Sequence, residues 1–278
     1  MSSADAKPTI IALHCSGGGR SAWGRLEQDL DGGFNVVVPD LVGCSAIGSR
    51  TRERAFTLSD EAAPMAKIID AAHGPVHLVG HSYGGCVALR LACRRPARIA
   101  SLSLYEPAVL HVLMTAGRDG EVALAGWRTV ARDIGRHVLT GAVRRAAKRL
   151  VECWNGSGGW SALPRELRDD LAGDIPEACF AFSAQVRERP PLPVYARFGF
   201  PVLLMQGEYS SEPMQRITRQ LGRAMPRARR RTVYGAGHMG PYTHQAVVSA
   251  LITEHIAAVA ATGKATVRQV ADRITAAA

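Results

Sequence analysis

The sequence predicts an α/β fold: a mostly parallel sheet of about six strands flanked by helices, with a helical insertion in its second half. Three observations carry this expectation. Short apolar runs (PTIIALHC, FNVVVPD, PVHLV, IASLSLY, PVLLMQG) alternate with stretches of helical periodicity. Several runs are apolar at every position rather than every second one, as strands buried on both faces must be. The alternation stops after Pro107 and resumes at Pro201. A chain of 278 residues, 47% of them apolar, holds one domain with an insertion. The expected division is a core of residues 1–107 and 200–278, with the insertion at 108–199.

Taken in order, residues 8 to 15 form the first strand and SGGGRSAW a glycine-rich loop at its end. A helix over Ala22 to Leu30 is broken by Gly32 and Gly33. Phe34 to Asp40 reads as a second buried strand and the residues after it as a loop. Thr57 to Ala72 is a helix capped at Thr57 or Ser59, with Leu58, Ala62, Met65, Ile68 and Ile69 on one face. Pro75 to Val79 is a strand, and the helix that follows stops at Pro96. Ile99 to Tyr105 is a strand ending in Glu106 and Pro107. The insertion has helical patches at Val122 to Val138, Ala142 to Cys153, Pro164 to Leu171 and Glu177 to Val186, with a flexible Asn155 to Gly159 loop. Trp127, Trp154, Trp160, Phe180 and Phe182 lie in it and read as packing residues. Then come the strand from Pro201, a helix over Met214 to Met225, a strand over Arg229 to Tyr234, and the loop Gly235 to His244. An Ala-rich helix runs from Pro241 to Thr262, and residues 263 to 278 form a further short helix or a frayed tail.

The chemistry concentrates at Gly80-His81-Ser82-Tyr83-Gly84, a G-x-S-x-G motif between a strand and a helix. Such a sharp turn strains the serine backbone and leaves no room for side chains two positions away, which Gly80 and Gly84 satisfy. The turn lifts the Ser82 hydroxyl above the carboxyl ends of the strands and leaves the Tyr83 N–H at a helix start, where it favours negative charge. On these residues the chain resembles the α/β-hydrolase superfamily. The resemblance implies that Ser82 is a nucleophile and that the insertion is a helical lid. It also implies that the loop after the first strand supplies the second oxyanion donor, by position the Ser16 N–H, beside that of Tyr83. Cys15 stands where relatives have glycine; it reads as a space filler, with a nucleophilic thiol as the alternative. His14 reads as a structural hydrogen-bonding residue, and Asp40 and Gly43 as a structural turn. The antiparallel strands that often open this fold are expected to be missing.

A serine hydroxyl needs a base, and imidazole is the usual one. His238, in Gly-Ala-Gly-His-Met-Gly, matches the base motif of the superfamily. The carboxylate that orients the imidazole departs from the common pattern: its usual place falls at Ser210, which carries no acid. The superfamily's second location, at the end of the strand after the elbow helix, holds Glu106, with Glu208 and Glu212 as the other candidates.

The resulting expectation is a serine hydrolase of a carboxylic ester, thioester or related acyl substrate, working through an acyl-enzyme. An acyltransferase, a carbon–carbon bond hydrolase, a cofactor-free haloperoxidase and a non-catalytic ligand-binding protein are the alternatives. A serine at the elbow argues against haloalkane dehalogenase and epoxide hydrolase chemistry. No HExxH, Cys/His, Rossmann or Walker motif occurs, so no metal or cofactor is expected.

A net charge of +10 raises nucleic acid as a partner. The clusters Arg144, Arg145, Lys148, Arg149 and Arg227, Arg229, Arg230, Arg231 read as solvated faces without stacking aromatics, so no nucleic-acid partner is expected. A small acyl molecule is the expected partner, an acidic or coenzyme A-linked one included. Six scattered cysteines read as reduced thiols. The opening MSSADAKPT lacks an apolar export segment, and no later run reads as long or uninterrupted enough to span a bilayer. A soluble, cytoplasmic protein without a membrane partner is the expectation.

Overall fold

The computed structural model describes residues 7–41, 56–187 and 190–276. Its centre is a six-stranded, wholly parallel sheet in the order β2-β1-β3-β4-β5-β6. The strands are β1 (Thr9–Leu13), β2 (Asn35–Val37), β3 (Val76–His81), β4 (Ile99–Tyr105), β5 (Val202–Gly207) and β6 (Ala228–Val233). Ile11, Leu13, Leu78, Leu102 and Leu204 belong to one core, and Ile10, Ala12, Val79, Leu203 and Met205 to another. Successive side chains point to opposite faces, so each of these strands is apolar throughout because it feeds two cores.

Helices α1 (Gly24–Asp29) and α9 (Gln245–Ala276) cover the face of the Ile10 core, while α2 (Leu58–Ala71), α3 (Tyr83–Arg94) and α7 (Glu212–Ala224) cover the other. The Thr57 hydroxyl accepts from the Asp60 N–H at 3.3 Å and the Asp60 carboxylate accepts from the Thr57 N–H at 3.0 Å. This reciprocal cap fixes the start of α2. Between β4 and β5 the chain forms α4 (Gly117–Leu139), α5 (Val143–Asn155) and α6 (Arg165–Arg187), the expected helical insertion. A single turn, α8 (Gly240–Thr243), follows β6.

Four expectations need correction. The second strand is only three residues long and half-exposed, because β2 is the sheet edge and has one covered face at most. The two patches expected at 164–171 and 177–186 are one helix, α6, which runs through Pro176. The terminal helix begins at Gln245 and continues unbroken to Ala276. Within it Gln245–Thr262 is, by length and composition, apolar enough to cross a bilayer. Its one Asp, Glu, Lys or Arg residue is Glu254, too little to interrupt it. In the fold this stretch lays Val248, Ile252 and Ile256, spaced by four, on the sheet core.

Cys15, Cys86, Cys93, Cys153 and Cys179 are free thiols. Cys44 and Gly43 lie outside the described residues, as does the side chain of Phe180.

Candidate active site

The strand order brings the carboxyl ends of β3, β4 and β5 side by side, where parallel sheets hold their ligands. Ser82 follows β3 directly and adopts φ 53° and ψ −112°. Glu106 follows β4 with φ 43°, and these two are the only non-glycine residues with positive φ among those described. A side chain on Gly80 would meet the Gly84 carbonyl at 2.7 Å, and one on Gly84 would run into the Leu13 and His14 carbonyls. The strain is held in place by hydrogen bonds. The Ser82 N–H donates to the Tyr105 carbonyl at 3.1 Å, and the Ser82 carbonyl accepts from Cys86 at 3.2 Å and Ala108 at 3.1 Å.

The fold brings together Ser82, His238 and Glu106, which are distant in sequence. His238 Nε2 lies 3.0 Å from Ser82 Oγ, and His238 Nδ1 lies 2.7 Å from Glu106 Oε2. The second carboxylate oxygen accepts from the Gly207 N–H at 2.7 Å. All three side chains are buried, Glu106 fully. A carboxylate is an acceptor only, so this network puts the imidazole proton on Nδ1 and leaves the Nε2 lone pair facing the serine hydroxyl. The arrangement can take a proton from Ser82 and hold the resulting imidazolium beside a buried negative charge.

The other two acidic candidates are elsewhere. Glu208 is exposed and accepts from the Gly235 N–H at 2.9 Å, while Glu212 pairs at the surface with Arg216 at 2.8 Å and Arg219 at 3.1 Å. Ser210 is buried, and its hydroxyl has no hydrogen-bond partner among the described residues.

Ser16 and Cys15 border the same small cavity as Ser82. Gly17 has φ +67°, and the Gly19 N–H donates to Tyr242 Oη at 3.1 Å, which ties the glycine loop to α8. Tyr83 opens α3, so no carbonyl within that helix engages its N–H. Burial pushes the Cys15 thiol up to about 12, and its Sγ donates to Tyr242 Oη at 3.7 Å, so it stays protonated and takes the filler role. His14 Nδ1 meets the Cys15 carbonyl at 2.8 Å, and burial lowers its proton affinity, in keeping with a structural histidine.

Sequence reasoning missed the residues beneath and above His238. From below, Tyr105 Oη donates to the Gly237 carbonyl at 2.7 Å and His81 Nε2 to the His238 carbonyl at 2.8 Å. Two adjacent carbonyls of the histidine loop are thereby clamped. Burial raises the Tyr105 phenol and, with His238 nearby, lowers the His81 imidazole well below its usual value, so both stay neutral donors. From above, Asn155 is the last residue of α5 rather than part of a flexible loop, and its Oδ1 accepts from the Met239 N–H at 3.3 Å. Trp154 sets its ring 5.8 Å from that of His238 and stacks on Trp127 at 4.6 Å. Trp127 and Trp154 read only as packing residues, and nothing in the sequence pattern marked Tyr105, His81 or Asn155 for these contacts, because their partners are backbone groups far along the chain.

Solved structures share this architecture. MenH from S. aureus aligns with a TM-score of 0.71 at 14% identity, covering 91% of this chain and 94% of that one. A thermophilic esterase from Thermogutta terrifontis aligns at 0.65 and 23% identity, covering 91% and 90%. Among curated proteins, the lipase LipV of Mycobacterium tuberculosis is 38% identical over 88 residues, 31% of this chain and 32% of the lipase. A 2-hydroxy-6-oxo-2,4-heptadienoate hydrolase of Pseudomonas putida is 31% identical over 114 residues, 40% of this chain and 41% of that one. The chain thus spans about a third to two fifths of the length of these curated relatives. Residues 10–251 match the sequence profile of the alpha/beta hydrolase family, and the chain belongs to that family.

Proposed function

We propose that the protein is a serine hydrolase that cleaves an ester, thioester or related acyl bond through an acyl-enzyme on Ser82. The observation that carries this reading is the hydrogen-bonded chain from Ser82 through His238 to Glu106, at 3.0 Å and 2.7 Å. His238 takes the Ser82 proton as the oxygen attacks the acyl carbon, and Glu106 holds the imidazole in the required tautomer and offsets its charge. The N–H groups of Ser16 and Tyr83 receive the developing oxyanion, a contribution worth about 3 kcal/mol of barrier per donor. His238 then passes its proton to the leaving group, and a water activated by the same imidazole releases the acyl group. The elbow, the glycine loop, the histidine loop and Glu106 at the end of β4 supply the groups these steps require.

Residues 108–199 act as the lid, since Trp154 and Asn155 lie directly over the histidine loop. The lipase and carbon–carbon hydrolase names among the relatives are compatible with this machinery, and fold and triad do not choose between such substrates.

The test is turnover of p-nitrophenyl acetate by the wild type, Ser82→Ala and Glu106→Gln. Activity should vanish in Ser82→Ala. It should fall on the order of 10³-fold or more in Glu106→Gln, where the imidazole tautomer is no longer fixed. Unchanged turnover in either variant would remove that residue from the mechanism.

A further inference from the structure

The cavity over Ser82 has a volume of only about 30 Å³. By this measure one water needs about 10–15 Å³, so the space takes about two waters, enough for a reacting carbonyl but not for a long chain attached to it. Trp154, Leu171, Phe182 and Gln185 are among the residues that line it. A substrate with a long acyl chain therefore needs a second space next to the first.

Such a space lies beside it. A chamber of about 300 Å³ is bounded chiefly by apolar side chains, among them Leu58, Leu89, Val109, Val194 and Tyr195. Three features make it the neighbour of the reacting centre. Gln185 borders both cavities. Ala108 borders the first and the next residue, Val109, the second. Cys86 borders the second, and its N–H donates to the Ser82 carbonyl at 3.2 Å, one helical turn from the hydroxyl.

We propose that this chamber holds the acyl tail of the substrate, an unbranched and uncharged chain of about six to ten carbons, and that Gln185 is the partition the tail displaces. The inference rests on the serine-hydrolase reading above. The size follows from volume: a dry cavity of about 150 Å³ accommodates benzene, so twice that accommodates a chain of this length.

Gln185 suits the part of a movable partition. Gln185 is only 5% exposed, yet among the described residues its amide donates only to the weak acceptor Cys86 Sγ, at 3.7 Å. Little hydrogen bonding is lost when it swings aside. The opposite wall is different: a groove outside α4 shares Trp127 and Phe182 with the small cavity. Opening that side would break the Trp127–Trp154 stack and the edge contact of Phe182 on Trp127 at 5.7 Å.

The chamber lies on the acyl side of the bond because the leaving group must depart beside His238, the group that protonates it. Trp154, Asn155 and Met239 surround that imidazole in the small cavity, and none of them borders the chamber.

The experiment measures kcat/KM on p-nitrophenyl esters from acetate to decanoate for the wild type, Val194→Trp, Cys93→Phe and Gln185→Ala, with fluorophosphonate labelling of each. Val194 and Cys93 border the chamber from different segments and are half-buried, so a larger side chain at either fills it without entering the sheet core. The wild type should prefer hexanoate and octanoate to acetate. The octanoate-to-acetate ratio should fall at least tenfold in both filled variants and rise in Gln185→Ala. A wild type that prefers acetate, or a ratio unchanged within twofold in both filled variants while labelling persists, overturns the chamber and leaves the hydrolase reading standing. Absence of both labelling and turnover in the wild type removes the hydrolase reading and the chamber with it.

Discussion

Glu106 shows how a single position carries both structure and chemistry. Its backbone is left-handed at φ 43°, its carboxylate is fully buried, and its two oxygens are divided between the Gly207 N–H and His238 Nδ1. An uncompensated buried charge costs several kcal/mol, so these two donors are what allow it to exist there. Ser82, His238 and Glu106 were all readable in the sequence, the first two from local motifs. Glu106 could be chosen over Glu208 and Glu212 only by the resemblance, since all three carboxylates sit near strand ends. Tyr105 and His81 were not readable, because each acts on a carbonyl more than 130 residues away and any residue could supply that carbonyl. Tyr105→Phe should lower stability by about 0.5–1.5 kcal/mol, the net worth of one hydrogen bond, since the half-buried Gly237 carbonyl still accepts from the Gly240 N–H at 3.1 Å. Because the same carbonyl fixes the histidine loop, kcat should fall with KM little changed. Thermal melts and steady-state kinetics on this variant check both, and an unaltered kcat would mean that the loop holds its geometry without the clamp.

Among the elements, β3 and α3 meet at a close-packed junction. The helix starts where the strand ends, and Gly84 lies against the Leu13 and His14 carbonyls, which draws β1 and its glycine loop up to the nucleophile. The Gly84 N–H also donates to the His14 carbonyl at 3.1 Å. Gly84→Ala should therefore destabilise by more than the roughly 1–3 kcal/mol of ordinary overpacking, because the obstacle is backbone. Circular dichroism during urea unfolding would register this, and a midpoint equal to that of the wild type would contradict the close approach. The strand and helix pattern was legible because apolar runs and amphipathic stretches have distinct periods. It failed where an element's surroundings decide its form. The second strand shrank to Asn35–Val37 at an edge that apolar composition does not reveal, and α6 runs through Pro176, joining two patches that read as separate.

Across the whole molecule, the parallel direction of the sheet followed from repeated β-α-β units, whereas the strand order and the contacts of the insertion with the histidine loop did not. Long-range docking of Asn155 onto Met239 leaves no periodic signal. The positive charge distributes as a surface property. Arg229, Arg230 and Arg231 are exposed on β6, the other sheet edge, where like charges discourage pairing with a second sheet. The ion pairs of the basic helix, such as Arg149–Asp133 at 3.5 Å and Lys148–Glu152 at 3.8 Å, are solvated and contribute little.

Acid stability is set instead by buried histidines. Burial, with a smaller effect from His255, pulls His77 down to about 4, and burial also lowers His14 and His81. Between that value and the unfolded value near 6.5, the unfolded chain binds a proton that the folded chain refuses. Stability is thus full above about pH 6.5 and declines as pH falls toward 4; His77 alone removes about 2 kcal/mol by pH 5. Melts at pH 7.5 and pH 5 should show the loss, partly relieved in His77→Gln. A pH-independent melting temperature over this interval would show that these imidazoles are not held neutral.

The most direct measurement of the central claim is mass spectrometry of the protein after exposure to a fluorophosphonate, on the wild type and on His238→Ala. The account predicts one adduct in the wild type, located on Ser82, and a labelling rate at least a hundredfold lower when the imidazole is removed. An unmodified Ser82, or an adduct that forms equally fast without His238, would contradict a nucleophile activated by this imidazole.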